Sequence, residues 1–113
     1  MDDEAADFRV VLITVPDQGT AARLARTLLE ARLVACASII PGIESHYWWE
    51  GRIESSAECL LIAKSVADRI PALKGAVQKA HPYECPEILA LPVVGGLAKY
   101  LAWVRESVDA GAG

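Results

Sequence analysis

Three segments of this chain, residues 10–15, 59–63 and 88–91, are apolar at nearly every successive position. Strands with that pattern bury side chains on both faces, so the sheet they predict needs cover above and below. A length of 113 residues is that of one domain, at the usual ~100–200 residues each, and a two-domain enzyme is excluded. Hydrophobic residues make up 53% and charged residues 23%, close to the globular average, so the chain buries a core and is not disordered.

The periodicities read in order as follows. Residues 8–15 form a β-branched strand closed by Pro16-Asp17. Asp17 or Thr20 then caps a helix whose inner side is Ala21, Leu24, Leu28 and Ala31. Residues 34–49 predict a long strand that Pro41-Gly42 bends or bulges without ending. Glu50-Gly51 is related to the two-residue turns of β-hairpins, and a returning strand runs through Ile53 and residues 59–63. A second helix begins near Asp68, tolerates Pro71 in its first turn, turns Ile70, Leu73, Val77 and Ala80 inward, and ends before Pro82. Residues 88–93 predict a fourth strand, Gly95-Gly96 a break, and Tyr100, Leu101, Val104 and Val108 one side of a short third helix.

The order β-α-β-β-α-β with right-handed crossovers predicts an α+β, ferredoxin-like sandwich: an antiparallel sheet, both main helices on one face, and a long hairpin between the second and third strands. One domain spans 8–108, with 1–7 and 109–113 as flexible tails. The second face of such a sheet is bare. An apolar patch beyond a few hundred Å² seldom stays wet, so another subunit is expected to cover it.

Charge excludes some partners. Eleven Lys and Arg against fifteen Asp and Glu leave a net −4, with no run of three basic residues, which argues against nucleic acid. Residues 33–43 and 88–98 are too short, and too interrupted by Pro and Gly, for the ~18 apolar residues of a membrane span. The acidic start lacks the pattern of a secretory signal, and the three cysteines have no close spacing, so a cytoplasmic protein with reduced thiols is expected.

The densest set of chemically able side chains is His81-Pro82-Tyr83-Glu84-Cys85, with imidazole, carboxylate and thiol at the exit of the second helix. Two readings stand for it: a metal site using His81, Glu84 and Cys85, or a structural turn in which His81 caps the last helical carbonyls while Tyr83 and Glu84 brace a subunit contact. Cys36 is similarly open, a small buried hydrophobe or a thiolate for a soft cation such as Cu(I). His46 alternates with Trp48, and Tyr47 with Trp49, along the long strand, which assigns these residues to packing, and Tyr47, Trp48, Trp49 and Trp103 to assembly. Glu50, Arg52, Glu54, Glu58 and Lys64 read as solvated or cross-strand charge pairs. No catalytic triad and no phosphate loop is recognisable, so no enzymatic activity is expected.

These words occur together in one family. Ala35-Cys36, Pro41-Gly42, the hairpin stretch 45–53, Glu58 with Lys64, His81-Pro-Tyr-Glu84 with Pro86-Glu87, Leu91-Pro92 and Tyr100-Leu101-Ala-Trp103 run in the order of the CutA divalent-cation tolerance proteins, which the chain resembles from about Val10 to Val104. The resemblance implies a compact homotrimer built through the long hairpin, with copper or another divalent cation as ligand and no catalysis. It departs at Arg52, Ser38, Ser65 and Leu97, where the family usually carries Lys, Asn, Thr and Asn. Ile13 and Ala80 stand where some members place a thiol and a second histidine, so His81 alone carries over from that ligand set. A trimer resembling the PII small-molecule signalling proteins, with a ligand in a cleft between neighbours, and a purely structural trimer are the competing readings.

Overall fold

The computed structural model describes residues 7–110, and the expected tails lie outside them except for Asp7, Asp109 and Ala110. Four strands, β1 (Phe8–Val15), β2 (Cys36–Trp49), β3 (Arg52–Val66) and β4 (Ile88–Pro92), alternate with helices α1 (Gln18–Glu30), α2 (Ile70–Ala80) and α3 (Ala98–Asp109). They form one antiparallel sheet in the order β2-β3-β1-β4, the expected ferredoxin-like arrangement.

Local chemistry sets each boundary. Asp17, in extended conformation, caps α1 by accepting the Thr20 N–H at 2.7 Å, which decides between the two caps the sequence offered. Helix α1 ends one residue before Ala31, which is exposed and not part of the core. The register of β2 on β3 shifts between Ile40 and Ile43, where Gly42 takes φ +73°, so Pro41-Gly42 makes a bulge inside a continuous strand. Glu50 and Gly51, both left-handed at φ 50° and 78°, close the hairpin with Trp49 opposite Arg52. A 3₁₀ turn, Ala67–Arg69, precedes α2, in which Leu73 and Val77 are buried but Ala80 is exposed, because the inward position one turn beyond Val77 falls to His81 instead.

Strand alternation divides the side chains between two faces. Val11, Ile13, Val15, Leu61 and Ala63 meet Leu24, Leu28, Leu73 and Val77 under α1 and α2, and these form the main core. On the other face α3 covers one corner, where Leu101, Val104 and Val108 enclose Phe8 and Val66. The C-terminus of α3 is held by guanidinium groups: Arg32 donates to the Ser107 carbonyl at 2.8 Å and Arg69 to the Val108 carbonyl at 3.1 Å. Arg69 also pairs with Asp109, the first residue of the expected tail. Beyond that corner Val10, Leu12, Leu60 and Ile62 are only half-buried, and Ile40, Leu89 and Leu91 are exposed.

Ser65 is fully buried, and its hydroxyl donates to the Leu33 carbonyl at 2.5 Å. Ser65→Ala strands that carbonyl, and a loss of about 1–3 kcal/mol is expected in urea unfolding. Leu73→Ala, which opens a cavity between helix and sheet, is expected to cost about 2–5 kcal/mol by the same measurement.

Candidate functional site

The turn after α2 is organised by one imidazole. His81 ends the helix with its own N–H on the Val77 carbonyl at 2.8 Å and then turns to extended backbone before Pro82. Its ring is buried, at 7% exposure, and reaches across to the sheet. Nε2 lies 2.7 Å from the Thr14 carbonyl, which can only accept, so the ring proton is assigned to Nε2. Nδ1 then accepts the Tyr83 N–H at 3.1 Å. The expected cap on the helical carbonyls is therefore corrected: the ring bonds to β1, because Thr14 lies within its reach and presents a carbonyl to it.

Tyr83 stacks obliquely on His81, with ring centroids 4.8 Å apart, and its phenol donates to Glu58 Oε2 at 2.9 Å. Burial, then the Glu58 hydrogen bond and its charge, push the Tyr83 phenol up to about 12. Glu58 is 8% exposed. The reading of Glu58 as a solvated charge is thus overturned, since it lies on the same side of β3 as Leu60 and Ile62, against the turn. A signal was present in the sequence: a carboxylate in the even-numbered, apolar alternation of a strand asks for a buried donor. The Thr14 carbonyl could not have been found, because backbone partners carry no side-chain signature.

The remaining candidates lie apart. Glu84 and Cys85 are exposed on the turn. Cys36, half-buried at the start of β2, has its sulfur 3.5 Å from the Tyr100 hydroxyl, and the Tyr100 ring lies 5.6 Å from that of Trp103. Burial first, and then the Cys36 thiol, push the Tyr100 phenol up to about 12. Cys36 opposes Lys64, which opposes Val10, whereas His81 bonds to Thr14. Four residues of strand, ~13 Å, separate those levels of the sheet.

One subunit does not fit a copper ion. Among the described residues no three of His, Cys, Asp and Glu are gathered closely enough to hold a metal, and both His81 nitrogens are engaged. A surface cleft of about 330 Å³ beside the turn is lined by Thr20, Arg23, Leu24, Thr27, Ala80 and Pro82, none of them an expected ligand.

The hairpin tip is bare. Trp48 and Trp49 are 72% and 58% exposed, and Tyr47, also exposed, reaches Ser56 at 3.3 Å. His46 pairs with Glu44 at 2.6 Å on the opposite side of β2 from Tyr47, and Arg52 pairs with Glu54 at 3.4 Å.

A four-stranded ferredoxin-like sheet with two helices on one face, an apolar second face left largely open and a long aromatic hairpin defines a class of small α+β domains. The model of the family described as CutA1 divalent ion tolerance protein matches residues 9–107, and the chain belongs to that family. It is 43% identical over 107 residues to the divalent-cation tolerance protein CutA of Pectobacterium atrosepticum, covering 95% of this chain and 97% of that one. It is 46% identical over 98 residues to the chloroplastic protein CutA 1 of Oryza sativa subsp. japonica, covering 87% of this chain but only 55% of the rice protein. The structure of the periplasmic divalent cation tolerance protein CutA from Archaeoglobus fulgidus superposes with a TM-score of 0.87 at 38% identity, over 89% of this chain and 98% of that one. No helix among the described residues is long and apolar enough to cross a membrane.

Between pH 10 and about 12 the unfolded chain gives up the Tyr83 proton while the folded chain keeps it, so stability falls as pH rises through that window. In urea unfolding from pH 9 to 12, Tyr83→Phe is expected to flatten part of this fall, and Tyr100→Phe another part.

Proposed function

We propose that this member of the divalent-cation tolerance family is a non-enzymatic homotrimer in the cytoplasm, with copper the cation to be tested first. The observation that carries the assembly is the uncovered apolar face, continued along the hairpin by the exposed Tyr47 and Trp49, with Trp48 and Ile53 exposed on the hairpin's other side. Such a surface is stable in water when a like subunit covers it. Tyr47, Trp48, Trp49, Tyr83 and Trp103 are its aromatic contacts in this reading. The non-enzymatic reading is supported by His81, whose two ring nitrogens are tied to backbone groups and so serve no neighbouring thiol as base. The cytoplasmic one is supported by three cysteines that are all free.

Cys36, His81, Glu84 and Cys85 are the proposed copper donors, the thiols suiting a soft ion. Since one subunit does not gather them, a shared ion would be held by side chains of more than one subunit. Entry of His81 into such a set requires one of its two internal hydrogen bonds to open, which ties copper affinity to the order of the turn.

Light scattering at micromolar concentration is expected to give three times the 12.1 kDa chain mass, and a monomer would refute the assembly. Trp49→Ala is expected to weaken the trimer while leaving the subunit's circular dichroism unchanged. His81→Ala is expected to lower copper affinity about 10-fold or more, as loss of a ligand should exceed the ~10–100-fold range's lower end for outer-shell losses. Reduced stability with an unaltered copper titration would show that the imidazole serves only the turn.

A further inference from the structure

We propose that the uncovered sheet face receives a second copy of this chain in one fixed register, set by Lys64 of one subunit lying against the Glu58–Tyr83 pair of the next. The proposal rests on the homotrimeric reading and adds to it the polar contact that aligns the subunits.

Side chains 58, 60, 62 and 64 of β3 alternate to the same, open face: Glu58, Leu60, Ile62 and Lys64. The adjoining strands place Val10 and Leu12 beside Lys64 and Ile62, and then Leu91 and Leu89 beside those. An apolar strip thus runs between two opposite charges. Neither charge is balanced within the subunit. Glu58 accepts the Tyr83 phenol and makes no ion pair among the described residues, and Lys64, half-buried, makes none either. The other charges of this face, Arg52 and Glu54 near the hairpin tip, pair with each other at 3.4 Å. Six residues of strand, ~20 Å, prevent Glu58 and Lys64 from meeting in their own chain.

Covering the strip removes water from both ends. A carboxylate and an ammonium group each lose several kcal/mol on desolvation unless a counter-charge replaces the solvent. An unrelated apolar partner supplies neither, whereas a second copy brings both, at the same spacing and on the same kind of face. In a closed head-to-tail ring each subunit gives Lys64 to one neighbour and receives the other neighbour's lysine at Glu58, so no charge is left over. A slip of the neighbour by two residues along the strand, ~7 Å, would draw the charges out of contact, so the pair acts as a register pin as well as a contact.

The test is a double-mutant cycle on the full chain, read as the dilution midpoint for dissociation in moderate urea, with circular dichroism reporting the subunit fold. Glu58→Gln keeps an acceptor for the Tyr83 phenol, and Lys64→Gln keeps most of its stem, so both subunits stay folded. Each single change is expected to weaken each contact on the order of 10-fold or more, because it leaves the opposite charge desolvated and alone. The double variant is expected to be weakened far less than the product of the two. The charge-exchanged E58K/K64E chain is expected to assemble better than either E58K or K64E. Sites ~20 Å apart in one chain act additively, so coupling of this kind has to cross between chains. Multiplicative effects, or singles that dissociate like the parent, would overturn the pairing while leaving the trimer intact. A parent chain that is monomeric throughout would instead overturn the homotrimeric reading and this proposal with it.

Discussion

The structure depends on one mismatch: a four-stranded sheet that is apolar on both faces, and helices enough to cover one. Helices α1 and α2 bury Val11, Ile13, Val15 and Leu61 completely. The other face has only α3, a twelve-residue helix pinned at one corner by Arg32 and Arg69. Covering apolar surface is favourable at roughly 25 cal/mol per Å², and this face keeps Val10, Leu12, Leu60 and Ile62 half-buried and Ile40, Leu89 and Leu91 exposed. The unpaired charges of β3 and the Tyr47 and Trp49 rings of the long hairpin lie on that face.

The turn after α2 shows how a functional-looking cluster can be structural in a subunit. His81 ties α2 to β1 through Thr14 and folds the next two residues back through the Tyr83 N–H, which places the phenol on Glu58. The imidazole, the phenol and the carboxylate are one connected unit, in which both ring nitrogens and the phenol are engaged and only the charge of Glu58 lacks an ion-pair partner among the described residues. Chemistry there, in a protein of a divalent-cation tolerance family, has to compete with these bonds or be completed from a neighbour.

The exposed residues of the same turn complement this. Glu84 and Cys85 follow directly on Tyr83 and are exposed on the turn. Cys36, at the other end of the sheet, shares its environment with Tyr100 and Trp103 instead, so the two thiols sit in different chemical settings. A soft ion would find a half-buried sulfur in one place and an exposed one in the other.

Local patterning by itself determined the strands, the helices, the bulge at Pro41-Gly42, the turn at Glu50-Gly51 and the apolar character of the second face. Each is encoded by spacing of two or 3.6 residues, or by a conformation that Gly and Pro favour, and a neighbourhood of a few residues suffices. Tertiary structure alone decided that Glu58 is buried, that His81 bonds to Thr14 rather than to its own helix, and that Cys36 lies beside Tyr100. Those contacts join residues 25, 67 and 64 positions apart. A carboxylate or an imidazole looks the same in sequence whether water or a distant backbone carbonyl satisfies it, and only the register of β3 on β1, with the helix crossing above, chooses between them.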